Sequence, residues 1–451
     1  MVTEKPTVKK RVVTRRPSEK GAASDFAFTQ DMILAAGAPA LDAYRRAAWD
    51  AYKASSLPNT SEEAWRRTDI RQLNSGSFVI PDGNGKFSAP PKGLLEPLAG
   101  ESHGGQITLT PGGVDVFLEP ALAAKGVVFT DIATAAKTHP KLLEKILGQL
   151  VKPGEDKFSA LAAAFGRNGV FLYVPSGVEV ADPLHSVLWG PGAKIAHLSH
   201  LLVWIEDGAS ATFVHEYASP NEDEQSLHAG IVEIHVGKGA SLRFVELQSW
   251  GRHIWNFSHE RARVDRDGNL DWVFGAVGSH LTKNFSELNL IGEGAVGRMS
   301  GFYFTDGEQH LDHDTQQNHL APHTTSDLLF KGALEGHSRS VWQGMIYVAP
   351  GAQKTDGYQA NRNLVLSQNA RADSIPGLEI LADDVRCTHG ATVGKVDADE
   401  MFYLRSRGIP EIDAERLIVE GFFDPIMQRI PFEKVRRRFE QAILDKLFHQ
   451  E

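Results

Sequence analysis

Thiols are almost missing from this chain of 451 residues, which has one cysteine, Cys387. A single cysteine cannot form an internal disulfide, which fits a reducing compartment, and we expect a cytoplasmic protein. The shortage also limits metal chemistry, because an iron–sulfur cluster is ordinarily held by about four thiolates. A cluster that touches this chain would need ligands from a partner or from side chains other than cysteine.

Long apolar runs and an excess of basic residues are also missing. No stretch approaches the roughly 18 consecutive apolar residues of a membrane-spanning helix, and no apolar segment of the secretory type follows the N-terminus. The formal net charge of −10 argues against a general nucleic-acid binder, whose phosphate contacts require a basic surface. We therefore expect a protein that binds neither membranes nor nucleic acid.

The common nucleotide and metal motifs are absent as well. The sequence has no G-x-x-x-x-G-K-[ST] loop to cradle phosphates, so we expect no ATP hydrolysis by this chain. It has neither a strand followed by G-x-G-x-x-G nor the paired C-x-x-C of a zinc site. The sequence therefore predicts a non-catalytic protein with no cofactor stably bound by this chain alone.

What is present begins with a basic N-terminal segment, residues 1–28, with few large apolar groups before Phe26. Its basic residues include Lys9, Lys10, Arg11, Arg15 and Arg16. This composition predicts a solvated, disordered tail. A transit peptide is the alternative, and the acidic Glu4 and Glu19 argue against it.

Residues 29–165 have mostly helical periodicity, with an Ala-rich stretch from Leu41 to Ala54 and a periodic apolar run from Thr130 to Leu150. Breaks rich in Pro, Gly and Asn interrupt the pattern at 57–59 and 81–85. We predict an N-terminal domain that is mostly helical, with some short strands.

Residues 166–392 alternate apolar and polar side chains with the period of a strand, as in Val232, Ile234 and Val236 around two polar residues. Glycine turns recur at Gly208, Gly239, Gly268, Gly294 and Gly351, separated by 31, 29, 26 and 57 residues. A loose repeat of this length indicates a solenoid or a propeller. Helical crossovers and blade signatures are lacking, so we predict a β-helix.

Residues 393–451 return to helical periodicity. Asp397 and Glu400 form a candidate capping box, Pro410 suits a first helical turn, and Asp424-Pro425 repeats the signal of a cap followed by proline. The last segment, Glu433 to Phe448, places apolar residues four apart. These are Val435, Phe439, Ile443 and Leu447. We predict a compact helical C-terminal domain with an amphipathic final helix.

Histidines cluster in one part of the repeat region, beside Asp306, Asp312 and Asp314. They are His310, His313, His319 and His323. Imidazoles and carboxylates together could hold zinc or iron. However, in a strand the first two histidines would face opposite sides, so polar positions on a solenoid face are the favoured interpretation.

The stretch SIPGLEILADDVRCTHGATVG, residues 374–394, gathers Asp383, Asp384, Cys387 and His389 within seven positions. In a strand, Cys387 and His389 share one face, where thiolate and imidazole could meet one iron. The alternative is a packed cysteine beside a surface histidine.

CTHGATVG (387–394) is followed by MFYLRSRGI (401–409), and SIPGLEILADDV (374–385) precedes it. QANRNLVLS (359–367) lies further upstream, and LPNTSEEAWRRTDI (57–70) lies near the N-terminus. These five segments together resemble the SufB/SufD family, and in particular its SufD members. The C-terminal motif is the most specific, and the resemblance runs from about residue 30 to the end.

The resemblance implies a right-handed parallel β-helix core between helical N- and C-terminal domains. It implies pairing with SufB through the β-helix and docking of the SufC ATPase on the C-terminal helices, or a homodimer where SufB is absent. For docking we single out Phe402, Phe422 and Phe423, with packing inside the helical domain as the alternative.

In this family the nascent cluster is built mainly on SufB, with a SufD histidine at the shared interface. That histidine corresponds to His389 and the neighbouring family cysteine to Cys387, which makes them candidate ligands of a transient iron or iron–sulfur cluster shared with SufB. The SufB scaffold cysteine would fall near Ala370, where this chain has no thiol. The accompanying hypothesis is that ATP-driven dimerisation of two SufC subunits shifts the β-helices and exposes both residues.

Two other functions remain open from the sequence. A β-helix enzyme acting on carbohydrates would use carboxylates in a surface groove, although no paired-acid motif supports it. A purely structural subunit would use His389 only for an interface hydrogen bond.

Overall fold

The computed structural model describes residues 25–81, 85–96, 103–430 and 432–448. The fold is mainly β, with a β-solenoid of about eight turns flanked by N-terminal and C-terminal helices, which confirms the predicted fold class. Within the described ranges, no helix is both long and apolar enough to cross a membrane.

The N-terminal part combines helices with short strands. Its helices are α1 (Pro39–Ala54), α2 (Pro120–Ala124), α3 (Ile132–Thr138), α4 (Pro140–Ile146) and α5 (Lys157–Phe165). Its strands are β1 (Gly105–Thr110), β2 (Gly113–Leu118) and β3 (Val128–Asp131). Asp156 caps α5 by accepting hydrogen bonds from the backbone N–H groups of Phe158 and Ser159.

Two residues assigned to the tail from sequence belong to this packed region. Phe26 and Phe28 are buried, and their rings stack with centroids 5.6 Å apart. Phe26 also contacts Phe158 of α5. Residues 25–28 are therefore part of the N-terminal domain, and the predicted tail otherwise lies outside the described residues.

The solenoid is built from sixteen strands between residues 168 and 395. They are β4 (Asn168–Val174), β5 (Leu184–Trp189), β6 (Ala196–Ile205), β7 (Ser210–Ala218), β8 (Ser226–Val236), β9 (Ser241–Ser249), β10 (Ile254–Val264), β11 (Asn269–Ala276), β12 (Leu281–Leu290), β13 (Val296–Thr305), β14 (His310–His319), β15 (Thr325–Leu334), β16 (Arg339–Val348), β17 (Asp356–Val365), β18 (Arg371–Ile380) and β19 (Arg386–Lys395). The last strand runs three residues past the predicted boundary at 392.

Successive strands alternate between two sheets, and each strand pairs in parallel with the strand two places along the chain. The nine-stranded sheet holds the even-numbered strands and is extended by β3, which pairs antiparallel to β4. The ten-stranded sheet holds the odd-numbered strands and is extended by β1, parallel to β5, and then by β2. The N-terminal domain therefore continues both solenoid sheets.

A backbone position with positive φ recurs in the turns that lead into six strands of the ten-stranded sheet, the odd-numbered strands from β7 to β17. It lies two residues before the strand and is occupied by Gly208, Gly239, Asp267, Gly294, His323 and Lys354. Glycine adopts this conformation most readily, so the sequence reveals the turn only where glycine occupies it. The predicted 57-residue interval consists of two coils, because His323, with φ of 59°, takes the position of the missing glycine.

Three helices follow the solenoid: α6 (Ala398–Ser406), α7 (Glu411–Met427) and α8 (Glu433–Phe448). As predicted, Asp397 caps α6 with its side chain. Pro410, predicted for a first helical turn, is instead the N-cap residue that directly precedes α7. The prediction of a helix start at Asp424-Pro425 is wrong, because Pro425 lies inside α7. Proline has no backbone N–H, so Pro425 leaves the helix without the hydrogen bond to the carbonyl of Gly421.

Helices α7 and α8 pack on the outer face of the ten-stranded sheet. The four apolar residues predicted for the buried face of α8 are all buried there. Polar anchors add to this packing: Lys446 Nζ lies 2.7 Å from Asp306 Oδ1, and Arg438 Nη2 lies 2.7 Å from Glu216 Oε1. The C-terminal helices are therefore fixed to the β-helix by both apolar and charged contacts.

The segment 57–70 fastens the N-terminal domain to the outer face of the nine-stranded sheet. Trp65 is buried and its ring lies 5.9 Å from that of Phe257 and 6.0 Å from that of Phe285. Thr68 is fully buried, and its hydroxyl donates a short hydrogen bond to Asp312. The Trp and Thr of the N-terminal motif thus have a structural role.

Thr68→Val, which keeps the shape of the side chain but removes the hydroxyl, is expected to lower the free energy of unfolding by about 1–3 kcal/mol, because buried Asp312 loses a donor. Denaturant unfolding measures the change. Thr60→Val, at an exposed position of the same segment, is the control and should leave the midpoint nearly unchanged. Equal losses in both variants would contradict the anchoring role of Thr68.

Candidate functional site

The last coil of the solenoid, formed by β18 and β19, leaves the end of the β-helix open. Each strand is the terminal strand of its sheet, so one edge of its backbone has no partner strand among the described residues. The lumen-facing side chains here have no further coil above them. As a result, apolar Leu378, Ile380 and Val393 are exposed. This end combines free strand edges with apolar surface, which is typical of an interface.

His389 is the last member of a column of lumen-facing residues on the ten-stranded sheet. It pairs in register with Gln359 of β17, which pairs with Leu328 of β15. Gln359 and Leu328 are fully buried, whereas His389 is exposed because the solenoid ends there. No hydrogen bond among the described residues involves its imidazole, so both ring nitrogens are available to a ligand or partner.

Cys387 lies on the same face of β19 as His389, as their spacing predicts. Its Sγ lies close to Gly357, since a Cβ on that glycine would be 3.2 Å from the sulfur. The thiol is half-buried beside Ile346 and Val348, and burial raises its pKa. A protonated thiol is a poor metal ligand, so in this conformation Cys387 is closer to the packed alternative than to a ready ligand.

The two aspartates of this stretch do not lie beside Cys387 and His389. Asp383 and Asp384 lie in the exposed turn that precedes β19, and Asp384 forms an ion pair with Lys354. Within the described residues, no group of three or more His, Cys, Asp or Glu side chains is placed to hold a metal ion. The chain thus presents His389 as an isolated imidazole at an open end.

The histidine cluster of the sequence is dispersed in the structure. His310 lies on the outer face near Thr68, whereas His313 points into the lumen beside Phe274. His319 is buried and bonded to the Thr324 and Ser326 hydroxyls at 2.7 and 2.8 Å, and exposed His323 forms a turn. His310 and His313 therefore face opposite sides of the strand, as their spacing predicts. The four histidines do not gather into one site.

The three phenylalanines proposed for partner docking lie in different environments. Phe402 on α6 is 72% exposed. Phe422 on α7 is half-buried, and Lys331 Nζ lies 4.8 Å from the centroid of its ring. Phe423 is only 1% exposed and packs against Phe302 of the solenoid. Phe423 is therefore a core residue, which corrects its assignment to the docking surface, while Phe402 and Phe422 stay candidates.

A groove of about 770 Å³ lies between α6 and α7. Tyr403 and Leu417 give it an apolar wall, and Asp399 and Glu400 bring carboxylates to it. Its chemistry suits a partner surface with apolar and basic side chains.

Gln359 is a buried neighbour of His389 at the open end, paired with it in register, and sequence reasoning did not single it out. It stands first in the QANRNLVLS segment and precedes His389 by 30 residues, which is one coil of the solenoid. The single-coil intervals between the glycine turns vary from 26 to 31 residues, so they indicate the approximate coil length and not the pairing of residues 359 and 389. A buried amide in a column of apolar residues is the signal that marks the position.

Comparison with known proteins adds to this geometry. Residues 189–422 match the family described as SUF system FeS cluster assembly, SufBD core domain, and residues 114–185 match the SufBD protein N-terminal region. The chain is 34% identical to the iron–sulfur cluster assembly protein SufD of Bacillus subtilis (strain 168), over 73% of this chain and 76% of the relative. It is 31% identical to an iron–sulfur cluster assembly SufBD family protein of Staphylococcus epidermidis, over 70% of this chain and 68% of the relative.

Proposed function

Because this chain belongs to the SufBD family of iron–sulfur cluster assembly proteins, we propose that it is the SufD-type subunit of a scaffold that it forms with SufB-type and SufC-type chains. The nascent cluster, or the iron for it, is the cargo of this scaffold. The observation that carries the proposal is the open end of the β-helix, where His389 lies exposed among apolar side chains and free strand edges.

The SufB-type partner covers that end. Strands β18 and β19 offer unpaired backbone N–H and C=O groups, which a strand of the partner can extend into a continuous sheet. Leu378, Ile380 and Val393 lose their exposed apolar surface at the same time, which favours association. His389 then lies at the boundary between the two chains, where ligands from both can meet.

The division of ligands follows from the thiol shortage. With one cysteine, this chain cannot supply the about four thiolates that a cluster ordinarily needs. His389 contributes a neutral imidazole nitrogen and the SufB-type chain contributes the remaining ligands. Cys387 becomes available only if the last coil opens, because its thiol now packs beside Ile346.

The SufC-type ATPase docks on α6 and the adjacent groove, and this chain contributes no nucleotide site of its own. Movement of the docked ATPase would be transmitted to the solenoid by α7 and α8, which pack on it. Lys331 of β15 donates a 2.5 Å hydrogen bond to the Phe422 carbonyl, and Lys446 and Arg438 form the anchors described above. A pull on these helices therefore acts on the β-helix and, through it, on the interface at its open end.

Phe402→Asp is expected to release the SufC-type chain from the assembly while pairing with the SufB-type chain persists. An exposed aromatic at the centre of an interface contributes about 2 kcal/mol or more, so affinity should fall about thirtyfold. Co-purification from cells that produce all three chains measures the loss. Phe117→Asp, at an exposed position on β2, is the matched control, and equal loss in both variants would contradict docking at α6.

The proposed function as a whole is tested by producing this chain together with SufB-type and SufC-type chains and purifying it by a tag. The expected result is a stable three-chain assembly that takes up iron and sulfide. Recovery of this chain alone, at expression levels where the other two chains are soluble, would overturn the assignment.

A further inference from the structure

We propose that Gln359 is a positioning residue for His389: its buried side-chain Oε1 is the acceptor to which the imidazole N–H of His389 turns, and this hydrogen bond selects which ring nitrogen faces the open end. This inference rests on the proposed function only in giving His389 a ligand to bind, because the buried amide belongs to this chain alone.

The amide of Gln359 has one orientation in the lumen. Its Nε2 donates hydrogen bonds to the carbonyl oxygens of Gly377, at 2.9 Å, and Gly344, at 3.3 Å. A flipped amide would place Oε1 against both carbonyls, so the orientation is set by the backbone of the nine-stranded sheet. A Cβ on Gly344 would lie 2.5 Å from Oε1, so glycine at this position makes room for the amide.

With Nε2 satisfied, Oε1 of Gln359 is left as a fully buried acceptor without a hydrogen-bond partner among the described residues. An unsatisfied acceptor of this kind costs about 1–3 kcal/mol. His389 is the in-register neighbour one strand away, at about 4.8 Å in the direction of the ladder, and its imidazole has an N–H without a partner among the described residues. Each side chain therefore lacks what the other can provide.

Among the lumen-facing residues of this column, the amide occurs at one position. The preceding lumen-facing positions on the same sheet are Trp272, Met299 and Leu328, all buried and in register with one another. In this column an amide replaces the apolar side chains only at Gln359, the position that pairs in register with His389. The column is thus apolar until the site begins.

The chemical consequence is a fixed tautomer. A neutral imidazole has one N–H and one lone pair, and the hydrogen bond made by the N–H decides which nitrogen can bind a metal. With its N–H held by Gln359, His389 presents the other nitrogen at the open end, where the cargo iron would bind. Loss of such a supporting hydrogen bond lowers metal affinity by about 10–100-fold.

The test uses the full chain without partners or iron, labelled with ¹⁵N-histidine, at about pH 8, where imidazoles are mostly neutral. The side-chain nitrogen signals of His389 are identified by their disappearance in His389→Ala. We expect one dominant tautomer in the original chain and a mixture of both in Gln359→Leu, which restores the residue type at position 328. If the leucine variant fails to fold, Gln359→Met, which repeats the residue type of Met299 in the same column, replaces it.

A mixture of tautomers in the original chain, or the same dominant tautomer in the apolar variant, would overturn the positioning role. A merely structural glutamine would change the denaturation midpoint without changing the tautomer ratio, which also overturns the proposal. The readout requires no iron, so its failure leaves the ligand role of His389 standing, and failure of iron uptake leaves the tautomer result standing.

Discussion

Replacement of His389 by alanine is expected to lower the iron and sulfide content of the purified three-chain assembly by about tenfold or more, without loss of any chain. The imidazole is exposed on the terminal strand and makes no hydrogen bond with the described residues, so truncation leaves the fold unstrained. The variant should therefore lose iron and sulfide, while the stability of the fold and the stimulation of the ATPase stay unchanged. Iron and sulfide assays on the purified assembly, with an ATPase assay beside them, measure it.

The control for this prediction is Thr388→Ala, because Thr388 is the exposed neighbour on the opposite face of β19. Cys387→Ala is expected to have a smaller effect than His389→Ala, since the thiol packs against the solenoid. His389→Gln separates ligation from an interface hydrogen bond, because an amide can donate and accept but replaces imidazole poorly on iron. Normal cluster content in His389→Ala, or full recovery in His389→Gln, would contradict the ligand role.

The solenoid can be predicted from sequence because two local patterns mark it: apolar and polar residues alternate in its strands, and glycine recurs in its turns. Val232, Ile234 and Val236 of β8 face the lumen as their alternation predicts. The opposite face of the same strand is also buried, and Glu233 accepts backbone hydrogen bonds from Gly148 and Leu150 of the N-terminal domain. No local rule predicts that contact, because it depends on which domain covers the sheet.

The limits of sequence reasoning at the site have similar physical causes. The spacing of Cys387 and His389 predicted their shared face, but their different exposure depends on where the solenoid stops. Phe422 and Phe423 are adjacent on α7, so one must turn toward the sheet, and periodicity alone did not decide which. Pro425 resembles a helix start in sequence, yet packing of α7 against the ten-stranded sheet carries the helix through it.

Replacement of Lys283 by methionine is expected to lower the free energy of unfolding by about 3–5 kcal/mol at neutral pH, since it leaves buried carboxylates without their cation. Lys283 Nζ is fully buried on β12 and lies 3.0 Å from Asp312 Oδ2 and 2.7 Å from Asp314 Oδ2. The hydroxyl of Thr68 shares the Asp312 carboxylate, so this cluster joins segment 57–70 to the solenoid. Denaturant unfolding at several pH values measures the loss.

The pH dependence identifies charge as the cause. Burial raises the pKa of Asp312, and it raises the pKa of Asp314 to about 6, while Lys283 acts against burial at both carboxyls. Carboxyls whose pKa is raised in the folded state favour folding most below their ordinary pKa of 3.8, and this contribution is lost as pH rises through the folded pKa, about 6 for Asp314. Without Lys283 both pKa values rise further and more stability is lost, so the deficit of Lys283→Met should be small near pH 4 and grow toward pH 8.

The double variant Lys283→Met with Asp312→Asn is the matched control, because it removes one charge of each sign from the fully buried pair. It is expected to recover a large part of the stability lost in the single variant at neutral pH, since the asparagine oxygen can still accept the hydrogen bond from Thr68. A deficit in Lys283→Met that is equal at pH 4 and pH 8, with no recovery in the double variant, would assign the loss to packing around Phe285, whose ring centroid lies 4.8 Å from the ammonium group. A deficit that grows with pH and is recovered by Asp312→Asn would establish that a buried ion pair between β12 and β14 stabilises the part of the β-helix on which Thr68 of the N-terminal motif is anchored.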